Sequence, residues 1–351
     1  MEDTNITNPL ERIFSIKYEP RHLDGIAGHE DARKRLSLMA SSKELSHLLI
    51  AGPEGCGKLT LAKCFARDLL SEEVETSLSI IHVANPLTEE ERNQARKQSY
   101  VSTSRIGSMA GKRFTWPKFI QIRVKPVVEL QAMNSLGFKV LIVTDFHLLG
   151  PNQQGFRRLM ELYGPNCRFI LLTTQISSVI DPIKSRCQVI LVNPVTKARF
   201  FKEIKGIGSN EGFNVNYTFI NALYFVTRGN IGKALNYIQI LLIKGEDLTE
   251  DTLFLLLKEL HGNEILKFLE SCFKLQFGQA RELYYTLKRK NNYNLRDFLE
   301  ELSKQAIYAP LSQTIKALLL DVIAKIDARI VTLASEEPHL LNLIFKIGAI
   351  V

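Results

Sequence analysis

Residues 48–60 read Leu48-Leu49-Ile50-Ala51-Gly52-Pro53-Glu54-Gly55-Cys56-Gly57-Lys58-Leu59-Thr60. Four apolar residues of strand length run into a glycine-rich turn, the turn ends on a lysine, and a stretch of helical spacing follows. That order is a P-loop in the context it requires. The glycines let backbone N–H groups turn toward phosphate oxygens, the following helix adds the positive end of its dipole, and Lys58 supplies a mobile cation. Gly52, Pro53, Glu54, Gly55, Cys56, Gly57, Lys58, Leu59 and Thr60 are therefore candidates for holding the phosphates of ATP or ADP. A strand-to-helix turn without a ligand has no use for a lysine at the helix start. One residue breaks the pattern. The place after Lys58, where a Ser or Thr hydroxyl binds Mg2+, holds Leu59, and Thr60 comes one place late.

Outward from this stretch, runs rich in Ile, Val and Leu recur at 78–83, 140–144, 169–174 and 189–192, with amphipathic stretches between them. This alternation predicts an α/β domain with buried parallel strands. After Pro194 helical patterns take over. The chain divides into an α/β domain at 1–194, a small helical domain at 195–248 and an all-helical domain at 249–351. Three or four helices are expected in the second, punctuated by Gly206, Gly208, Gly229 and Gly232. In the third, helices are expected over 264–273, 279–288, 295–305 and 311–332.

A nucleotide-hydrolysing P-loop protein pairs its loop with an apolar strand ending in Asp-Glu, for Mg2+ and for the attacking water. Here Val140-Leu141-Ile142-Val143 runs into Thr144-Asp145-Phe146-His147. Either Asp145 is the metal aspartate and Phe146 stands where the glutamate belongs, or Thr144 replaces the aspartate and Asp145 the glutamate. One acid is missing in both registers. In the second, the metal-holding side chains at 59 and 144 are lost together, which points to a site that does not hydrolyse.

The chain has 351 residues, 45% of them hydrophobic and 23% charged, which is globular composition and excludes a mainly disordered or collagenous chain. Its net charge of +8 is concentrated. Nine basic residues and no acid lie between Arg92 and Lys125, and the remainder nets about −1. Tyr100, Phe114, Trp116 and Phe119 are interleaved with them. That run reads either as a solvated insertion or as phosphate contacts to duplex DNA. Met1 to Pro20 lacks the apolar core of a secretory signal, and no apolar run approaches membrane-helix length, so an intracellular protein is expected. Five scattered cysteines without a CxxC pair suggest neither a disulfide framework nor a zinc site, and the seven histidines show no ligand spacing. No metal site is assigned.

Several separated motifs resemble one family, the AAA+ small subunits of the eukaryotic sliding-clamp loader, replication factor C. Lys17-Tyr18-Glu19-Pro20 is similar to its Lys-Tyr-Arg-Pro, with Glu19 in place of arginine, and Leu23 to Asp31 continues the likeness. Phe156-Arg157-Arg158-Leu159-Met160-Glu161 resembles its Leu-Arg-Arg-Thr-Met-Glu helix. The stretch from Arg168 to Cys187 resembles its sensor strand and ends in the specific Ser185-Arg186-Cys187. Within the family the chain is most similar to the degenerate subunit that lacks the hydroxyl after the lysine and has an incomplete acidic pair, which favours the Thr144 register. The second sensor arginine falls on Gly232, in Gly229-Asn230-Ile231-Gly232-Lys233-Ala234. Ile326 to Phe345 has the spacing of the last collar helix.

The resemblance implies a RecA-like P-loop domain, a helical lid and a collar that closes a five-membered ring. It implies nucleotide binding with little hydrolysis, Tyr18 and Thr174 among the nucleotide contacts, Arg186 serving a neighbouring subunit's site, and Mg2+ left open. Its implied partners are the other loader subunits, the sliding clamp and primer–template DNA in the nucleus, during replication and repair. Two further readings stand beside it. One is an autonomous AAA+ ATPase in which Asp145 and Thr60 shift to hold Mg2+, and the other is a P-loop transferase, which leaves the helical C-terminal third unexplained. From the residues alone, Tyr18 packs between domains or stacks on adenine, and Cys56 is a small tolerated side chain or a redox-sensitive thiol.

Overall fold

The computed structural model describes residues 13–43, 45–85, 88, 91, 119–132, 134–257, 259, 263–291, 294–308, 312–330 and 336–350. The chain separates into two compact units, Met1–Leu248 and Thr249–Val351. In the first, β1 (His47–Ala51), β2 (Leu78–His82), β3 (Lys139–Thr144), β4 (Cys167–Thr173) and β5 (Cys187–Leu191) form a parallel sheet in the order β2-β3-β4-β1-β5. Each expected strand is present. The strand that carries the P-loop lies between β4 and β5, so chain order reverses beside it, which is where open α/β sheets place ligands.

Burial along the strands has a period of two on both faces. Leu48, Ile50, Val140, Ile142, Ile170 and Leu172 pack under α1 (Glu30–Ser42) and α2 (Lys58–Leu70) through Leu36, Leu61, Phe65 and Leu69. Leu49, Leu141, Val143, Phe169 and Leu171 face Phe119, Val124, Phe146 and the Phe156 and Met160 side of α3 (Gln153–Tyr163). Covered on both faces, the central strands β1, β3 and β4 are almost wholly buried and read as hydrophobic runs, whereas the edge strands β2 and β5 carry Ser79, His82 and Gln188. Fully buried Gln153 is polar because both ends are used. Its Nε2 donates to Ser178 O at 2.9 Å and its Oε1 accepts from Ile180 N at 3.0 Å.

His47 opens β1, and its Nδ1 accepts from Phe169 N on β4 at 3.2 Å. Burial, reinforced by the Arg168 guanidinium and opposed by a bond to the Met160 carbonyl, lowers its pKa to about 4 from the ordinary 6.5. The folded state thus holds the neutral ring. The sign follows directly: this contribution is complete above pH 6.5 and is lost as the pH falls from 6.5 toward 4, because the unfolded chain takes the proton first. The unfolding midpoint of the wild type is expected to fall more steeply over that interval than that of His47→Gln. Parallel pH profiles for the two would show that His47 has no such role.

After the sheet come α4 (Lys197–Glu211), α5 (Tyr217–Thr227) and α6 (Ile231–Lys244). The expected glycine breaks are only partly right. Gly206, Gly208 and Gly232 lie inside helices, and it is Gly212 and Gly245, at φ 76° and 70°, that take the left-handed C-cap positions of α4 and α6. Gly208 serves packing instead, since a Cβ there would stand 2.7 Å from Phe213 O.

The second unit is helical among its described residues: α7 (Glu250–Leu257), α8 (Asn263–Phe273), α9 (Phe277–Asn291), α10 (Leu295–Tyr308), α11 (Gln313–Ile330) and α12 (Glu337–Gly348). Its core gathers Phe268, Tyr284, Phe298, Leu302, Ile326 and Leu343. The single last helix expected over 326–345 is instead the end of α11 and most of α12. Pro338 sits in the first turn of α12, where a residue without N–H is tolerated and from which a helix begins afresh. No described helix is long and apolar enough to cross a membrane.

Candidate functional site

The P-loop turns where the sequence placed it. Gly55 and Gly57 have φ of 75° and 87°, and Gly57 caps α2, whose first residue is Lys58. Gly52 is required for a different reason, because a Cβ there would stand 2.1 Å from Val192 O just beyond β5. The Lys58 ammonium donates to Gly52 O at 2.9 Å and Pro53 O at 2.6 Å, so an arriving phosphate exchanges with carbonyls of the loop itself. The cradle fits a polyphosphate: positive-φ glycines, a helix start with free N–H groups, and a cation that can be released to the ligand.

The donor set for Mg2+ does not fit. Leu59 packs against the core beneath the P-loop helix. Thr144 continues the face of β3 on which Val140 and Ile142 meet that helix, but its hydroxyl donates to Asp145 Oδ2 at 3.0 Å and lies 3.1 Å from His82 Nδ1. Asp145 leaves the strand in the left-handed conformation, φ 55°. Thr60 lies two residues past Lys58, some 200° around the helix. Among the described residues no group of three or more His, Cys, Asp or Glu is arranged to hold a metal.

Thr174 directly follows β4, and its hydroxyl stands 3.4 Å from His147 Nε2. Burial holds His147 below the ordinary histidine value, with Asp145 pulling upward and Lys58 downward, and its Nδ1 is buried without a partner among the described residues. The sheet therefore brings Lys58, Thr144, Asp145 and Thr174 to one edge and adds His147 and His82. Neither histidine is marked by spacing in the sequence. His29 was missed in the same way, and its Nε2 lies 2.9 Å from Cys56 O at the back of the P-loop. The Cys56 thiol is buried, which pushes its pKa up against the pull of Lys58, and this is the behaviour of a packing residue.

Tyr18 donates to Glu211 Oε1 at 2.5 Å on α4 and meets Phe14 edge-on. Next to it Glu19 pairs with Lys63 of α2 at 3.1 Å, and Cys64 Sγ donates to Pro20 O at 3.0 Å. The segment around Tyr18 is thus tied to both the helical region and the P-loop helix. Arg186, between the short helix Asp181–Lys184 and β5, pairs with Glu161 of α3 at 2.6 Å and donates to Pro182 O at 2.8 Å. Most of the basic run, 92–118, lies outside the described residues, including Arg96, Lys97, Arg105, Lys112 and Arg113. In its described remainder Phe119 is fully buried, Arg123 binds the Glu91 carboxylate at 2.9 Å and Lys125 pairs with Glu129 at 3.3 Å. Phe119 is core, not a surface aromatic.

A family model described as DNA polymerase III, delta subunit, matches residues 28–196, and one described as Replication factor C C-terminal domain matches residues 260–346. The Replication factor C small subunit of Archaeoglobus fulgidus is 27% identical over 329 residues, 93% of this chain and 94% of that protein. The Replication factor C small subunit 1 of Pyrobaculum aerophilum is 28% identical over 342 residues, 97% of this chain and 95% of that one. The chain is similar to replication factor C small subunits over nearly its whole length. Likeness to these small subunits runs through the P-loop unit and the helical unit alike. Among solved structures, the Thermotoga maritima RuvB Holliday junction branch migration motor covers 74% of this chain and 80% of its own, at 18% identity and a TM-score of 0.46. The P-loop edge of the sheet, where Lys58, Thr144, Asp145 and Thr174 come together, is the place to seek chemistry.

Proposed function

We propose that the chain is a clamp-loader subunit that holds ATP or ADP at its P-loop, turns over little of it, and offers Arg186 to the nucleotide of an adjacent subunit. The complex it serves places a ring-shaped sliding clamp on primer–template DNA. One observation carries this reading: an intact phosphate cradle stands beside a metal position whose two side chains are otherwise used, Leu59 packed against the core and Thr144 bonded to Asp145 beside His82. Gly232, which leaves the lid without its sensor arginine, agrees with it. Residues 195–248 act as the lid over the nucleotide, and 249–351 as the collar that joins the ring. DNA is held through its backbone by the basic run at 92–125, since loading serves any primer end, and neutralising four of Arg96, Lys97, Arg105, Lys112 and Arg113 is expected to weaken DNA binding by the complex and flatten its salt dependence.

Purification of the tagged full chain from its native cells, with identification of co-purifying proteins and of released nucleotide, tests the reading. Sister loader subunits and a bound adenine nucleotide are the expected outcome. Recovery as a single species without nucleotide would remove it.

A further inference from the structure

The side chain of Asn230, at the start of α6, lies against the P-loop. Asn230 is the N-cap of α6: its φ and ψ of −75° and 103° are extended, and its Oδ1 accepts from Lys233 N at 3.0 Å. The carboxamide oxygen is therefore used. The other end, Nδ2, has no hydrogen-bond partner among the described residues, and it lies against the phosphate loop. A Cβ built on Gly55 would stand 2.6 Å from Nδ2 and 3.3 Å from both Cβ and Cγ of Asn230. A real side chain at 55 and Asn230 could not share this space.

The turn that carries Asn230 is itself pinned. Gly229 has φ 79°, and a Cβ on it would approach Val195 O to 3.0 Å. Tyr224 OH donates to that same carbonyl at 3.1 Å. Val195 is where the chain passes from the sheet to the helices, so the position of Asn230 is set relative to the P-loop from both sides. Gly232, two residues on, has no side chain, and a Cβ there would meet nothing closer than Asn230 Oδ1 at 3.6 Å. Contact between this end of α6 and the loop falls to Asn230.

We propose that Asn230 is a positioning residue, a clasp that holds the start of α6 on the phosphate loop and slows the release of nucleotide from it. The clasp acts through Gly55 and through the free amide donor, and it rests on the reading that the P-loop takes an adenine nucleotide. Capping and clasping are separable by substitution. Asn, Asp and Ser cap helices about equally well, so Asn230→Ser and Asn230→Asp both keep α6 capped. Serine is too short to reach Gly55. Aspartate has the same shape but no amide donor, and it sets a negative charge beside the phosphates.

The test is release of the fluorescent nucleotide mant-ADP from the full chain, chased with excess ADP, together with the thermal midpoint of the nucleotide-free chain. Loss of the amide donor, and in serine of the contact with Gly55, is expected to speed release about three- to tenfold in Asn230→Ser, and at least as much in Asn230→Asp. The nucleotide-free midpoints should match the wild type. Release at the wild-type rate from either variant overturns the clasp, as does a drop in midpoint that accounts for the faster release. A wild-type chain that does not bind mant-ADP at all is a different failure, visible before any variant is made, and it removes the nucleotide reading together with the clasp.

Discussion

Arg186→Ala, placed in the reconstituted loader, is expected to leave this chain folded and assembled while reducing ATP turnover at one adjacent site by roughly a thousandfold or more. The size follows from what such an arginine does. Charge grows on the phosphoryl oxygens as the bond to the leaving group breaks, and a guanidinium brought across a subunit boundary stabilises it, worth about 10³–10⁵ in rate in other P-loop systems. Within this chain Arg186 is paired with Glu161, and the two side chains are 37% and 42% exposed. An ion pair that open contributes about 1 kcal/mol at most, so removing it should barely move the unfolding midpoint. The pair also suggests how the arginine is kept until a neighbour arrives. Pro182 O and Glu161 hold the guanidinium in place, and in the proposed in-trans role a neighbour's triphosphate would compete with an exposed carboxylate for it. Glu161→Gln is the companion variant, and it should retain adjacent-site turnover. Full ATPase and clamp loading by Arg186→Ala would show that the arginine is only the surface partner of Glu161.

The isolated chain, saturated with ATP and Mg2+, is expected to bind nucleotide and leave it uncleaved, at a rate several orders of magnitude below an ordinary AAA+ motor. Losing a single preorganised transition-state group costs about 10²–10³ in other enzymes. Here three positions are altered at once. Leu59 offers no oxygen and packs against the core, Thr144 spends its hydroxyl on Asp145 beside His82, and Gly232 carries no side chain. Affinity should survive, because the loop, its helix start and Lys58 are intact. Lys58→Ala should therefore abolish retention of nucleotide and change a negligible hydrolysis rate very little. Steady-state turnover typical of a motor, lost in Lys58→Ala, would mean that Asp145 and Thr60 do assemble a metal site and that the chain is an ATPase in its own right.

Much of this was legible in the residues. The central strands were the most readable because a sheet covered on both faces there needs apolar side chains, and Leu48 to Ala51, Val140 to Val143 and Phe169 to Leu172 provide unbroken runs. The P-loop was readable because its geometry depends on residues that few substitutes can replace: Gly55 and Gly57 at positive φ, and Gly52 against a neighbouring carbonyl. Gly206 and Gly208 misled because glycine permits a break without enforcing one, and α4 gains enough from burying Phe200, Ile204 and Ile207 to run through both. The supposed last collar helix misled because apolar spacing continues across Pro338, and only the ring's missing N–H marks a new start.

What the sequence by itself determined is local in origin: the strands, the phosphate turn, and the absence of the hydroxyl at 59 and of a side chain at 232. Each follows from a residue's own backbone freedom, side-chain chemistry or period of burial, quantities that depend on neighbours within a few positions. What only the tertiary structure decided is pairing across long stretches of chain. His82 meets Thr144 because β2 and β3 lie side by side in register, His147 meets Thr174 because β4 follows β3 in the sheet, and Glu161 meets Arg186 because α3 packs beside the entry to β5. Asn230 reaches Gly55 only because Val195 pins the turn before α6. The strand order β2-β3-β4-β1-β5 sets these contacts, and that order is fixed by how the elements pack together, which no short stretch of sequence contains.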